Sequence, residues 1–282
     1  MIRGLTQKMP GRLSRLSAGF ARPLQRRGHK VFLGLILFLF PFSLLFVVTG
    51  LLPSQFSWIA SLMIAFSAAA TLVSEMRSRA ALSAAAQCAL LSGILLCVEY
   101  VGVTTGVPFG RYTYTDALGF RISGVPLAIP LAWYTTVVNS WRLSRGILER
   151  DDRAPAWMVA LLAAALTVAL DLVLEPMASS ITMYWVWSDG LIPVQNYFSW
   201  GVFSMIASFG LSVADRHPGP QLPSITGSSV VVLGSQFSLF AITDVVHGQE
   251  LPVLAAVLMM GVIAVARICG RHPRCAGGPA RP

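Results

Sequence analysis

The sequence predicts an all-α integral membrane protein of about eight transmembrane helices with cytoplasmic termini, and three observations carry that expectation. Hydrophobic residues make up 55% of the 282 and charged residues 12%, with a mean hydropathy of +0.68, far from the balance of a water-soluble domain. Apolar runs of roughly the 20 residues needed to cross a bilayer recur along the whole chain. Basic residues collect in every second connection between those runs.

Residues 1–30 hold eight Lys and Arg without an acid, so they are expected as a mobile cytoplasmic tail. The helices are expected at 31–52, 57–75, 81–105, 125–146, 155–178, 196–214, 229–247 and 252–268, one transmembrane domain over 31–268. Residues 269–282, basic and rich in Pro and Gly, are expected as a second cytoplasmic tail. The first run is longer than a signal-peptide core and no small-residue cleavage motif follows it, so it is expected to be retained. With the N-terminus inside, 19 of the 21 basic residues fall on the cytoplasmic side, in the tails and around Arg77, Arg142, Arg153 and Arg216. Only Arg111 and Arg121 fall outside. A net charge of +9 spread in this way serves topology and argues against nucleic-acid binding. Cys88, Cys97, Cys269 and Cys275 have no metal-ligand spacing and imply no disulfide framework.

This topology brings the intramembrane acids to one depth. Glu99 ends helix 3, Asp171 and Glu175 end helix 5, and Asp244 ends helix 7, close to His247. An ionisable group in an apolar run is costly in lipid and is read first as a functional site facing the protein interior. Loops 106–124 and 179–195 flank the same level with Phe109, Tyr112, Tyr114, Trp185 and Trp187, and are expected to lid one chamber. Asp171 and Glu175 are spaced i, i+4 and share a helix face, with Thr167 one turn below. In a dry site two such carboxylates cannot easily both ionise, so one should keep a proton and serve as a donor. Asn196 opens helix 6, where capping and holding a water are both open to its amide. Trp133, Trp185, Trp187 and Trp200 sit at the outer boundary, as interfacial belt residues or as the lining for a polyene and a carbocation.

No dinucleotide fingerprint, phosphate loop or His-x-x-x-His is present, so no nucleotide or metal cofactor is expected. The nearest confusable pattern is that of UbiA-type prenyltransferases, whose two Asp-rich motifs hold magnesium and diphosphate; here only Asp171-x-x-x-Glu175 exists. A lipid or solute transporter would also carry intramembrane acids, but with repeats or broken helices, and only a faint internal echo is present. A non-catalytic membrane scaffold would keep the aromatic loops without needing paired acids.

Five elements in order carry a resemblance to a known family: Glu99-x-x-Gly102-x-x-Thr105-Gly106-x-x-Phe109-Gly110-x-Tyr112-x-Tyr114; Gly124-Val125-Pro126-x-x-Ile129-Pro130-x-x-Trp133; Asp171-x-x-x-Glu175-Pro176; Trp185-x-Trp187; and Pro193-x-x-Asn196-x-x-x-Trp200. Over about residues 80–215 the chain resembles the membrane carotenoid biosynthesis proteins that include CruF-type carotenoid 1,2-hydratases and bisanhydrobacterioruberin hydratases. Ile192 and Ser199 depart from the family pattern, where Val and Gly are more usual. The resemblance implies a cofactor-independent hydro-lyase of the inner (plasma) membrane. Its reaction would be water addition to the terminal double bond of an acyclic carotenoid end, of the γ-carotene, lycopene or C50 bisanhydrobacterioruberin type. Partners would be the membrane, the carotenoid within it and other enzymes of the pathway. It implies Asp171 and Glu175 as the acid–base pair and Glu99 and Asn196 as the residues that position water. Phe109, Tyr112, Tyr114, Trp133, Trp185, Trp187 and Trp200 would line the substrate.

Overall fold

The computed structural model describes residues 12–51, 53, 56–148, 154–215, 223–249 and 251–269. Among them are eight helices: α1 (Arg12–Thr49), α2 (Ile59–Glu75), α3 (Ala81–Thr105), α4 (Ala128–Leu148), α5 (Ala156–Pro176), α6 (Val194–Ala214), α7 (Pro223–Val246) and α8 (Leu251–Cys269). All eight expected runs are helical, because hydrophobic length and period are properties a segment carries by itself. The N-terminal boundary differs. Helix α1 begins at Arg12, well inside the stretch expected as a tail, since an apolar helix once nucleated propagates cheaply into neighbouring turns. Arg150, Arg153, Arg216 and the residues after 269 lie outside the described residues, so the second tail does too.

Among the described residues, five helices are long and apolar enough to cross a membrane: Gly28–Thr49, Ala81–Thr105, Ala156–Ile181, Val194–Ala214 and Gly227–Val246. The chain is a membrane protein. Large apolar side chains project outward where a soluble protein would place polar ones, among them Phe38, Leu82, Phe198 and Val213. Helix α4 does not reach the same hydropathy, and its position explains why. It packs against α2, α3, α5, α6, α7 and α8, and Trp133, Tyr134, Val138 and Trp141 are all fully buried. A helix surrounded by protein has no need of a lipid-compatible exterior, so it can carry Arg142 and Arg145.

The two long loops are not separate. Strand β1 (Tyr112–Tyr114) pairs antiparallel with β4 (Trp185–Trp187), in the register Tyr112 to Trp187 and Tyr114 to Trp185. A shorter hairpin joins β2 (Arg121–Ile122) to β3 (Val125–Pro126). Alternation along a strand then turns Tyr112, Tyr114, Trp185 and Trp187 to one buried face and leaves Thr113 and Val186 outside. The expected common lid is thus a two-stranded aromatic sheet over one end of the bundle.

Candidate active site

Under that sheet the acids of α3 and α5 come together, each held by donors from distant parts of the chain. Glu99 Oε2 accepts from the Tyr112 and Tyr114 hydroxyls at 2.6 and 2.7 Å, and Trp133 Nε1 donates to Oε1 at 2.7 Å. Glu175 Oε2 accepts from Trp185 Nε1 at 3.1 Å and Trp187 Nε1 at 3.0 Å. Asn196 Nδ2 joins the two α5 acids, donating to Glu175 Oε1 at 2.9 Å and Asp171 Oδ2 at 3.0 Å. Glu99 and Glu175 therefore each accept from three neutral donors. Asp171 has the shared amide alone, and its Oδ1 has no partner.

The tyrosines serve as donors. Burial first, and then the Glu99 carboxylate, push the Tyr112 and Tyr114 phenols well above their usual range, so both keep the proton they share with Glu99.

Local sequence explains how these groups approach so closely. A Cβ on Gly102 would lie 2.8 Å from Phe109 Cδ2 and 3.0 Å from the Tyr112 oxygen, so only glycine leaves room one turn beyond Glu99. Gly110, at φ +117°, lets the chain turn into β1 with Pro193 against it. Helix α5 meets Pro176 directly after Glu175 and continues as a π-helical turn over Met177–Ile181, the type of irregularity that often marks functional segments. Trp200 stacks on Trp133 at 3.5 Å between ring centroids and 10° between planes, closing the wall next to Glu99.

A cavity of about 360 Å³ leads to this cluster, with a lining far more apolar than polar that runs up between α1, α2 and α7. All the expected site residues line it except Asp171, which lies behind Asn196 with no exposed surface. Capping by Asn196 and an exposed belt position for the four tryptophans are not what the structure shows. Asn196 sits inside α6, which Pro193 precedes without a side-chain cap, and its amide bridges acids instead. The four site tryptophans are buried, while Trp58 and Trp157 are the exposed ones, at the helix ends where a membrane belt belongs. Asp244 is also buried, yet neither oxygen has a partner and His247 Nδ1 contacts the Thr243 carbonyl rather than the acid. Among the described residues no three His, Cys, Asp or Glu side chains group as a metal site.

A second polar cluster, at the opposite end, is one that sequence reasoning missed. Arg142 forms a two-point pair with Glu75 at 2.6 and 2.8 Å, Arg145 pairs with Asp215, and Arg79 reaches Glu75 at 3.2 Å. The Trp141 ring lies under Arg142 at 4.4 Å. Alternating basic loops suggest topology alone for these arginines; the available cue is Glu75, an acid closing an apolar helix.

A family model described as carotenoid biosynthesis protein matches residues 56–263. A bisanhydrobacterioruberin hydratase from Haloarcula japonica is 36% identical over 115 residues, which are 39% of this chain and 38% of that protein. No solved structure matches the chain.

Proposed function

The chain belongs to the carotenoid biosynthesis protein family, and from that premise we propose that it is a cofactor-independent carotenoid hydratase. The observation that supports this best is the position of Glu99 and Glu175 beside an aromatic wall at one end of a long apolar cavity. An acyclic polyene end fits such a cavity, and its terminal double bond would then meet the carboxyl groups.

Asp171 and Glu175, bridged by Asn196 in a water-poor site, hold one proton between them. Glu175 delivers it to the terminal alkene, leaving a tertiary cation. Trp133, Trp200 and the negative charge of Glu99 stabilise that cation, the rings by their faces. Water held by Glu99 and Asn196 adds to the cationic carbon, and its released proton returns to the Asp171–Glu175 pair. One water is consumed, a tertiary alcohol forms, and no electron changes hands. The substrate class is a C40 or C50 carotenoid with an acyclic end. Expression in a host that makes lycopene or γ-carotene tests the reading: each modified end should gain the mass of one water. An altered hydrocarbon skeleton would point to a prenyltransferase, and unmodified pigment in both hosts and in a C50 host would sink the hydratase reading.

The proposed setting is the inner membrane, with both termini in the cytoplasm and the aromatic sheet on the far side. Reporter fusions at Gly119 and Gly219 should then read opposite sides; the same side for both would overturn that topology.

A further inference from the structure

Hydroxyl groups inside these helices usually donate to the carbonyl one turn back. Thr71, Thr135, Ser144, Ser199 and Ser212 all do so, each at 2.8 Å. Ser140 on α4, Thr167 on α5, and Ser204 and Ser208 on α6 break that habit. All four are 0% exposed and their oxygens have no partner, as is also true of Asp171 Oδ1. Buried hydroxyls without a protein partner are normally satisfied by ordered water.

Helix register sets these hydroxyls at successive levels along the mutually packed helices α4, α5 and α6, a file read from those levels. Asn196 bridges Asp171 and Glu175, and a Cβ on Gly201 would sit 3.3 Å from Val168 Cγ2, so α6 descends alongside α5 as α5 rises. Thr167 then falls between the levels of Trp200 and Ser204, with Ser208 one turn further on. On α4, Trp133 stacks on Trp200 and Trp141 Nε1 donates to Ser212 Oγ at 2.9 Å, which brings Ser140 to the level of Ser208. At a rise of about 1.5 Å per residue, Asn196 to Ser212 covers ~24 Å, most of a hydrocarbon core. Successive oxygens a turn apart are ~6 Å distant along the axis, too far for a direct hydrogen bond and suited to a bridging water. The file begins beside Asp171 and ends at the Asp215, Arg145 and Arg142 cluster.

We propose that this file holds a chain of buried waters that supplies the carboxylate site from the arginine end of the bundle. Its catalytic use rests on the hydratase reading, in which each turnover consumes one water: H goes to the terminal carbon, OH to the tertiary carbon, and no net proton is needed. The chemistry requires such a route because the cavity wall is apolar, its occupant would be a polyene, and the aromatic sheet roofs the other side.

Silver ions, close to water in size and reactive with thiolates, are the probe. In a full-length chain with Cys88, Cys97, Cys269 and Cys275 replaced by Ala, single Ser204→Cys and Ser208→Cys variants are treated with silver nitrate, then unfolded and alkylated. Both should be protected from alkylation, whereas Val173→Cys, buried among the apolar residues of α5, α7 and α8, should be alkylated as in untreated protein. A second readout is turnover: Ser204→Val should lower hydration per folded protein by about tenfold, while Ser204→Thr retains it. Alkylation of the file cysteines to the same extent as Val173→Cys overturns the proposal, as does unchanged turnover in Ser204→Val. Silver protection does not need the reaction, so a parent chain that hydrates no carotenoid would count against the hydratase reading while a positive silver result still supports the water file.

Discussion

Glu175→Gln is expected to lower hydrated carotenoid per folded protein by about 10²- to 10⁴-fold, the usual cost of losing a positioned proton donor or acceptor. Asp171→Asn should fall in the same range, because the proton is held by the pair and not by one member. Protein abundance should change little. The amide oxygen that replaces the Glu175 carboxylate can still accept from Trp185 and Trp187, and the change removes an ionisable group that was costly to bury. Glu99→Gln should lose turnover too, since Tyr112, Tyr114 and Trp133 would then direct three donors at a neutral amide. A structural acid would behave in the opposite way: its replacement would reduce the amount of folded protein and leave the survivors active. Pigment analysis normalised to folded protein separates the two, and near-normal specific turnover in both the Asp171 and Glu175 variants would sink the acid–base assignment.

The second large effect is on stability. Glu75 is 1% exposed and Arg142 3% exposed, so their two-point pair is buried, and removing Glu75 leaves Arg79, Arg142 and Arg145 with Asp215 as the one acid of the cluster. Glu75→Gln should cost about 3 to 5 kcal/mol, the range for breaking a buried ion pair. The loss is sharpened because Arg79 also leans on Glu75 and Trp141 already faces three guanidinium groups. The measurement is the folded fraction on heating purified protein in detergent. Combining Glu75→Leu with Arg142→Met, which removes both charges and keeps volume, should recover much of the loss. If Glu75→Gln melts with the parent, the cluster contributes nothing measurable to the fold.

How much of this was legible beforehand differs from residue to residue. The chain alone determined the eight helices, the common depth of Glu99, Asp171 and Glu175, and the aromatic character of the loops, because hydrophobic length, helical period and strand alternation are local. Packing alone decided the rest. Trp133 meets Glu99 from another helix, and Trp185 and Trp187 reach Glu175 because β1 and β4, far apart in sequence, pair in one register. The i, i+4 spacing places Asp171 and Glu175 on one face but is silent on which of them a cavity reaches. That was settled by α6, whose Asn196 stands between Asp171 and the cavity. The arginines of α4 show the same limit: their charge marks a side of the membrane, while burial against Glu75 and Asp215 depends on α2 and α6 arriving at the same level. Pair interactions between helices are fixed by crossing geometry and register, and neither is written in the composition of any one helix.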